Sequence, residues 1–404
     1  MALALLWIGL PLLLAQAFVP FDEFVRRGDD AYYYFQIAAN YPQLGFWSFD
    51  GTQSTNGVQP LWAMLLSAVA QLAAWIGVTD RDVLSRVFVG VAAIMQFGAA
   101  LMLFHLLAAR TTVGTAFVAA GATIFPIGFV WGRLWGVESP LLALAIVSVA
   151  AYYELRVRAS PTVARAAVVG LLLGVTCLSR LNAGLLAPCL GLWMLLDRRA
   201  GTTLGERWRH AMVAAAATAV VVLPYLAWNL VTTDALLPIS GQVKAVGVSR
   251  ALEEFGAEGS HAWQVASYVL EHWKGAVLWF VSSRSLDGLW VTGLRVVHDS
   301  AGSVASFTVA LALLLGAPAL LGRGWWATLR ARTGQLAPFG YIAAFAVVDA
   351  LVSVAVFPTQ SYAITRWWLV SAETVLAVLT ATILVAAMAH AGRLVLPRWR
   401  AAFA

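Results

Sequence analysis

Long apolar runs, separated by short polar and charged breaks, recur along almost the whole chain. A membrane-spanning helix needs about 20 apolar residues, because the hydrocarbon core of a bilayer is about 30 Å thick. Runs near this length occupy residues 2–18, 60–77, 85–108, 113–131, 139–154, 164–179, 183–196, 211–232, 303–322, 337–357 and 367–391. This pattern predicts an all-α polytopic membrane protein in which residues 1–404 form one transmembrane domain of about ten spanning helices.

The composition agrees with the pattern of runs. Apolar residues make up 61% of the 404 residues and charged residues 11%, and the mean hydropathy is +0.79. A soluble domain of this length does not have such a composition. The two cysteines lie in apolar runs and the histidines lack metal-ligand spacing, so neither a disulfide framework nor a built-in metal site is predicted. The net charge of +6 comes from basic residues beside the apolar runs, which favours membrane topology over nucleic-acid binding.

The arginines orient the chain, since loops rich in basic residues stay in the cytoplasm. Arginine clusters flank residues 164–196, a predicted hairpin, and others lie in the carboxyl-terminal tail. The alternation of sides holds only if residues 60–77 dip into the outer leaflet instead of crossing. Both termini are then cytoplasmic, in an inner or plasma membrane. Residues 21–84 and 233–302 form long outer loops, the first with surface helices, and residues 303–404 add further helices.

The first outer loop carries two adjacent carboxylates, Asp29 and Asp30, directly before an aromatic segment that predicts a surface helix. Helix capping is one explanation, because negative charge stabilises a helix amino terminus by about 0.3–1 kcal/mol. The alternative is a general base that takes a proton from an acceptor hydroxyl. Later in this loop, Asn56 and Gln59 could bind sugar hydroxyls or belong to a plain turn before Pro60.

Other polar residues lie at the predicted outer ends of helices. Glu138 could cap the helix that follows it, or act as a second carboxylate towards a sugar or a metal ion. Arg180 and Asn182 form the tip of the predicted hairpin, Lys244 lies in the second long loop and Arg366 begins the last helix. Cations at this level often contact lipid head groups. Three cations on the same side of the membrane would also suit a lipid phosphate, whose negative charge must be stabilised as a sugar leaves.

Five motifs, in this order, resemble those of the bacterial membrane glycosyltransferases of the C type (GT-C), which share a fold with protein O-mannosyltransferases and the catalytic subunit of oligosaccharyltransferase. The motifs are Asp29-Asp30-Ala31-Tyr32, Asn56-Gly57-Val58-Gln59-Pro60-Leu61-Trp62, Gly136-Val137-Glu138-Ser139, Ser179-Arg180-Leu181-Asn182, and Leu237-Pro238 with Lys244. The last is similar to a stretch of the arabinofuranosyl-type members, which are related to mannosyltransferases. The resemblance covers residues 1–245 and implies a GT-C-like catalytic module with a shallow helix after the first loop.

The resemblance also implies a chemistry. Asp30 matches the catalytic aspartate, with Asp29 beside it, and the donor would be a polyprenyl-phosphate sugar. The residues expected to bind substrate are Glu138, Arg180, Asn182, Lys244, Arg366, Asn56 and Gln59. The resemblance fixes no cofactor: a divalent cation, Mg²⁺ or Mn²⁺, is optional because a phosphate monoester already leaves well, and the sequence does not decide the metal requirement.

The chain is therefore predicted to be a membrane glycosyltransferase that moves a hexose or pentose, with inversion, to a glycan, lipid or protein of the cell envelope. A flippase or transporter of lipid-linked sugars is the main alternative, and a membrane scaffold is a third. A transporter should place its site at the membrane midplane, often between repeated halves. Here the polar candidates lie on one face and no repeat is evident. Asp349 and Glu373 lie within predicted spans, where an ionisable residue marks either a buried pair or a functional site. The sequence leaves their roles open.

Overall fold

The computed structural model describes residues 9–20, 24, 29–122, 136–197, 202–256, 259–260, 263–268 and 339–356. All regular structure within these residues is helical. The helices are α1 (Leu10–Leu14), α2 (Asp29–Leu44), α3 (Pro60–Trp75), α4 (Arg81–Ala108), α5 (Val113–Ala122), α6 (Ser139–Tyr152), α7 (Val163–Ser179), α8 (Leu186–Leu196), α9 (Leu204–Thr233), α10 (Ile239–Phe255) and α11 (Gly340–Val356).

Three of the described segments are long and apolar enough to cross a bilayer. They are α4, α9 and the segment Ser139–Val157, in which a π-helical turn continues α6. Shorter apolar helices include α3 and α7. The 16 residues of α3 rise only about 24 Å, less than the hydrocarbon core, which suits a helix that enters the membrane without crossing it. The apolar helices confirm the predicted membrane character of the chain.

Capping residues extend two helices beyond their apolar runs. The Asp80 side chain accepts a hydrogen bond from Val83 N–H at 2.9 Å, so α4 starts ahead of its predicted first residue. Thr203 and Glu206 form a capping box that starts α9 within a charged segment. Hydropathy alone predicts both helix starts too late.

Helix α7 packs closely on α9. A Cβ atom at Gly170 would lie 2.1 Å from the Ala214 carbonyl oxygen, and one at Gly174 would lie 2.5 Å from Val221 Cβ. The two backbones can approach this closely only because α7 has glycine at these positions. The chain turns after α7 as predicted, but α7 packs more extensively on α9 than on α8.

Charged residues occupy both ends of the segment that begins with α6. At its carboxyl end, Arg158 lies 2.8 Å from Glu154 and 2.7 Å from Asp197, and Arg110 lies 3.4 Å from Glu154. The Glu154 side chain is fully buried, so these arginines balance a charge that would otherwise be costly. Glu138 lies at the other end, about 20 Å away along the helix. The arginine cluster and the Glu138 end are therefore on opposite sides of the bundle.

Candidate functional site

A buried polar group around Tyr34 connects two of the predicted motifs. The Tyr34 hydroxyl donates to Glu138 Oε2 at 3.1 Å, and Arg180 Nε lies 3.7 Å from Glu138 Oε1. Tyr34, Glu138 and Arg180 are each less than a tenth exposed. The charge of Glu138 is therefore shared between a neutral donor and a cation, which is what a buried carboxylate needs.

Helix α2 places Asp30 directly above this group. Residues four apart lie on the same face of a helix, about 6 Å apart along its axis, so Asp30 and Tyr34 are neighbours. Asp30 is exposed, whereas Tyr34 is buried. The face of α2 thus presents an accessible carboxylate at the surface and a buried phenol beneath it. Asp29 is the first residue of the same helix.

Gln59 joins the first loop to the tip of the hairpin. Its backbone N–H donates to the Tyr34 hydroxyl at 3.0 Å, and its side-chain Oε1 accepts from Leu181 N–H at 3.2 Å. Gln59 is also the residue before the first residue of α3, so its backbone is fixed by that helix. It therefore ties α2, α3 and the hairpin tip together, next to Arg180.

Asn56 joins the same loop to α9 and α10. Its Nδ2 donates to Thr233 Oγ1 at 3.0 Å and to Asn229 Oδ1 at 3.3 Å, while its Oδ1 accepts from Ile239 N–H at 3.1 Å. Asn56 is only 2% exposed. The side chain thus holds the first turn of α10, the helix on whose second turn Lys244 lies.

The rest of the Asn56–Trp62 motif packs against the Glu138 motif. Trp62 is fully buried, and its indole Nε1 donates to the Gly136 carbonyl oxygen at 2.9 Å. Gly136 has φ +98°, and a Cβ atom there would lie 2.2 Å from the Phe35 ring. Only glycine allows the backbone to pass this close to Phe35 in this conformation. Gly136 therefore lets Glu138 reach Tyr34.

Asn182 contacts the far end of the chain. Its Nδ2 donates to Asp349 Oδ1 at 2.7 Å, and Asp349 is 3% exposed on α11. The structure therefore gives Asp349, whose role the sequence left open, a partner in the hairpin tip. Arg366 and Glu373 lie outside the described residues.

Burial and the neighbouring Glu138 carboxylate raise the pKa of Tyr34 well above its ordinary value. The phenol therefore remains neutral at physiological pH. It donates a hydrogen bond to Glu138 while it accepts one from the Gln59 backbone N–H, and the donation requires the proton that it keeps.

The described residues do not fit a divalent-cation site. Hard cations prefer six or more oxygen ligands. The two carboxylate oxygens of Glu138 face Tyr34 and Arg180 instead, and no group of three or more Asp, Glu, His or Cys side chains gathers within the described parts of the chain.

A cavity of about 640 Å³ lies between the first loop, α3, the end of α7 and α9. Its walls include Trp47, Tyr225 and Trp228, and its polar lining includes Ser54 and Gln71. The Trp47 and Trp228 rings meet edge to face with centroids 5.5 Å apart. Apolar, aromatic walls with a few polar groups are typical of ligand pockets.

Sequence reasoning missed Tyr34, the centre of this group. The sequence indicates only an aromatic stretch at the membrane surface for Tyr32, Tyr33 and Tyr34. Residues three and four apart lie on the same face of a helix, so the Asp30 side includes Tyr33 and Tyr34 but not Tyr32. This spacing narrows the choice to two tyrosines, of which Tyr34 is the buried one.

No family model matches the sequence, and no curated protein matches it. Two solved structures share its fold: oligosaccharyltransferase AglB from Archaeoglobus fulgidus in complex with an inhibitory peptide and a dolichol-phosphate (TM-score 0.52, 16% identity), and the apo form of the oligosaccharyltransferase from the same organism (TM-score 0.53, 17% identity). Each match covers 95% of this chain but only 50% of the solved chain, so this chain spans about half the length of those proteins. AglB has the GT-C fold, so the predicted GT-C fold is confirmed. At this identity the likeness establishes the fold alone.

Proposed function

We propose that this chain is a membrane glycosyltransferase that transfers a sugar from a polyprenyl-phosphate donor to an acceptor of the cell envelope, with Asp30 as general base. The main support is that several candidate polar residues lie together at one end of the bundle. An accessible carboxylate lies one helical turn above the buried Tyr34–Glu138–Arg180 group, within a fold shared with a protein solved together with a dolichol-phosphate.

In this proposal the Asp30 end faces the non-cytoplasmic side of the inner or plasma membrane, and both termini are cytoplasmic. About ten helices span the bilayer, and α2 and α3 lie at its outer surface. The support is the arginine cluster around Arg158 at the opposite end of α6, since basic residues favour the cytoplasmic side.

The reaction that fits this arrangement is an inverting substitution. The acceptor hydroxyl oxygen attacks the anomeric carbon and forms the new glycosidic bond. The bond from that carbon to the phosphate oxygen breaks on the opposite face, and polyprenyl phosphate leaves with the electron pair. Asp30 takes the proton of the attacking hydroxyl. Asp29 precedes it as the first residue of α2.

Cations near this end would stabilise the phosphate as the sugar leaves. Lys244 lies on α10, whose first turn Asn56 holds, and Arg180 is already at the site. Glu138 largely neutralises the charge of Arg180. We therefore assign to Lys244 the larger part in stabilising the negative charge of the phosphate, with Arg366 as a further cation. The loops that carry these groups would be held in place beside the sugar mainly by three amide side chains, those of Asn182, Asn56 and Gln59.

The cavity lined by Trp47, Tyr225 and Trp228 suits the apolar tail of the donor. Its lining includes Leu178, two residues before Arg180, and Pro224 of α9, whose neighbour Leu223 is exposed. A tail there could stay in contact with the bilayer while the phosphate reaches the site. The donor sugar is a hexose or pentose, and the acceptor is a glycan, a lipid or a protein.

The test is transfer of radiolabelled sugar from a panel of synthetic polyprenyl-phosphate sugars by purified protein in nanodiscs. The Asp30→Asn variant should lose about a hundredfold or more in turnover, as expected for removal of a general base. Asp50→Asn is the matched control. Asp50 is another exposed carboxylate of the first loop, but it accepts hydrogen bonds from its own turn, at Thr52 and Gln53.

Equal activity of the Asp30→Asn and Asp50→Asn variants would refute Asp30 as the base. If no donor is consumed and the intact lipid moves between leaflets, the protein is a flippase of lipid-linked sugars instead. If neither occurs, both proposals fail and a scaffold remains.

A further inference from the structure

We propose that Asp349 is a positioning residue that holds the hairpin tip, residues 180–182, in place within the candidate site. This inference rests on the proposed function for its effect on turnover. It assigns a role to an ionisable group, in an apolar helix near the carboxyl end of the sequence, that contributes to the site through Asn182.

The contact itself is short and partly buried. Asn182 Nδ2 lies 2.7 Å from Asp349 Oδ1, and Asp349 is only 3% exposed. A carboxylate in an apolar helix is costly unless it is hydrogen-bonded or paired. Asn182 supplies one such donor, so the stability of Asp349 and the position of Asn182 depend on each other.

The helix that carries Asp349 is well anchored. At its start, the Tyr341 ring packs on Trp193 and on Tyr153 with centroids 5.9 and 5.6 Å apart. A Cβ atom at Gly340 would lie 3.0 Å from the Trp193 ring, so α11 and α8 are in close contact there. From Gly340 to Asp349 the helix rises about 14 Å, towards the start of α8. The two helices are therefore antiparallel, and packing at one end fixes Asp349 at the other.

Asn182 passes this constraint to the site through its two neighbours. Leu181 N–H is bonded to Gln59, and the Arg180 guanidinium lies beside Glu138. These three consecutive residues form the junction between α7 and the 3-10 turn Leu181–Leu185, where Arg180 is extended with φ −160°. If Asn182 moves, Arg180 and Leu181 must move with it. Asp349 therefore acts on Glu138 and Gln59 without touching either residue.

The experiment uses an exchange of partners. Asp349→Ala removes the acceptor, and Asn182→Asp places two carboxylates at hydrogen-bond distance. The double variant Asn182→Asp with Asp349→Asn restores a carboxylate–amide pair with the roles reversed. Val347→Ala is the matched control, because Val347 is on the same helix but 59% exposed. Each protein is assayed in nanodiscs for sugar transfer and for hydrogen exchange at the backbone amides of residues 180–183.

We expect Asp349→Ala and Asn182→Asp each to raise amide exchange at the tip and to lower kcat by about tenfold or more, since small misplacements of a site have effects of this size. The double variant should return to within about threefold of the unmodified protein on both measures. Val347→Ala should change neither. The KM for the donor should change less than kcat, because the residue orients the site and does not touch the donor.

Unchanged exchange at the tip in Asp349→Ala and Asn182→Asp, both folded, would overturn the proposal. Raised exchange with full turnover would overturn it as well. If the single variants do not fold, failure of the double variant to recover folding would overturn it. An inactive unmodified protein would refute the proposed function instead, while amide exchange would still decide whether Asp349 holds the tip.

Discussion

The Tyr34 hydroxyl is the most informative single group to remove, because it contacts two motifs that are far apart in the sequence. It donates to Glu138 Oε2 at 3.1 Å and accepts from Gln59 N–H at 3.0 Å, in a fully buried setting. Tyr34→Phe keeps the ring and removes only this oxygen. The variant therefore tests the hydrogen bonds separately from the packing of the aromatic ring.

The size of the effect follows from the groups left behind. A hydrogen bond to a charged group is worth about 1.5–3 kcal/mol, and a buried N–H left without a partner costs about 1–3 kcal/mol. Some relaxation around the site will recover part of this. We therefore expect Tyr34→Phe to lower the free energy of unfolding by about 3 kcal/mol. Denaturant titration in mixed micelles would measure this change.

Tyr33→Phe provides the control. Tyr33 is adjacent on the same helix but is 49% exposed, so loss of its hydroxyl should cost less than about 0.5 kcal/mol. A double-mutant cycle of Tyr34→Phe with Glu138→Gln should show a coupling of about 1 kcal/mol or more, because the two groups interact directly. If Tyr34→Phe is no more destabilising than Tyr33→Phe, the buried network does not stabilise the site.

Three further predictions concern the close packing and the buried charges of the bundle. Gly136→Ala should destabilise the protein by about 1–3 kcal/mol in thermal unfolding, because its φ of +98° and the Phe35 ring both disfavour a Cβ, and Phe35→Leu should recover part of the loss. Arg158→Ala should cost about 3–5 kcal/mol in denaturant unfolding, since Glu154 would remain buried without its nearest cation, and Glu154→Gln in that background should recover stability. Because the pKa of Tyr34 is raised on folding, its contribution to stability is complete below about pH 10 and is lost as pH rises through the folded value. Tyr34→Phe should therefore remove no amplitude from the absorbance titration of the folded protein around pH 10.

Hydropathy predicted the helices well where a run was long and uniform. The runs at residues 139–154 and 164–179 correspond closely to α6 and α7. The prediction failed at helix starts governed by single polar contacts, such as the Asp80 cap of α4. Capping energies of about 1 kcal/mol decide where a helix begins, and an average over many side chains does not detect them.

The motifs predicted which segments meet, but they did not predict which groups of those segments are in contact. Glu138, Arg180 and Gln59 do gather around one point, as one-sided clustering suggested. Their partners Tyr34 and Leu181 were not identified, since one was hidden in an aromatic run and the other contributes only a backbone N–H. Backbone donors carry no residue-specific signal.

Asn56 illustrates a different limit. Its sequence context indicated either a sugar-binding amide or a plain turn, and the structure places it in a buried junction with Thr233 and Ile239. Both partners are more than 170 residues away. A single sequence contains no information that joins such distant positions.

The central claim is that the donor phosphate binds at the Asp30 end of the bundle, and a structure with a polyprenyl-phosphate bound tests it most directly. Electron cryomicroscopy of the protein in nanodiscs with a non-transferable donor analogue would locate the phosphate. We expect phosphate density between Lys244 and Arg180, with the anomeric carbon facing Asp30 and the tail in the cavity beside Trp228. Phosphate density at the arginine cluster around Arg158, or at the membrane midplane, would contradict it.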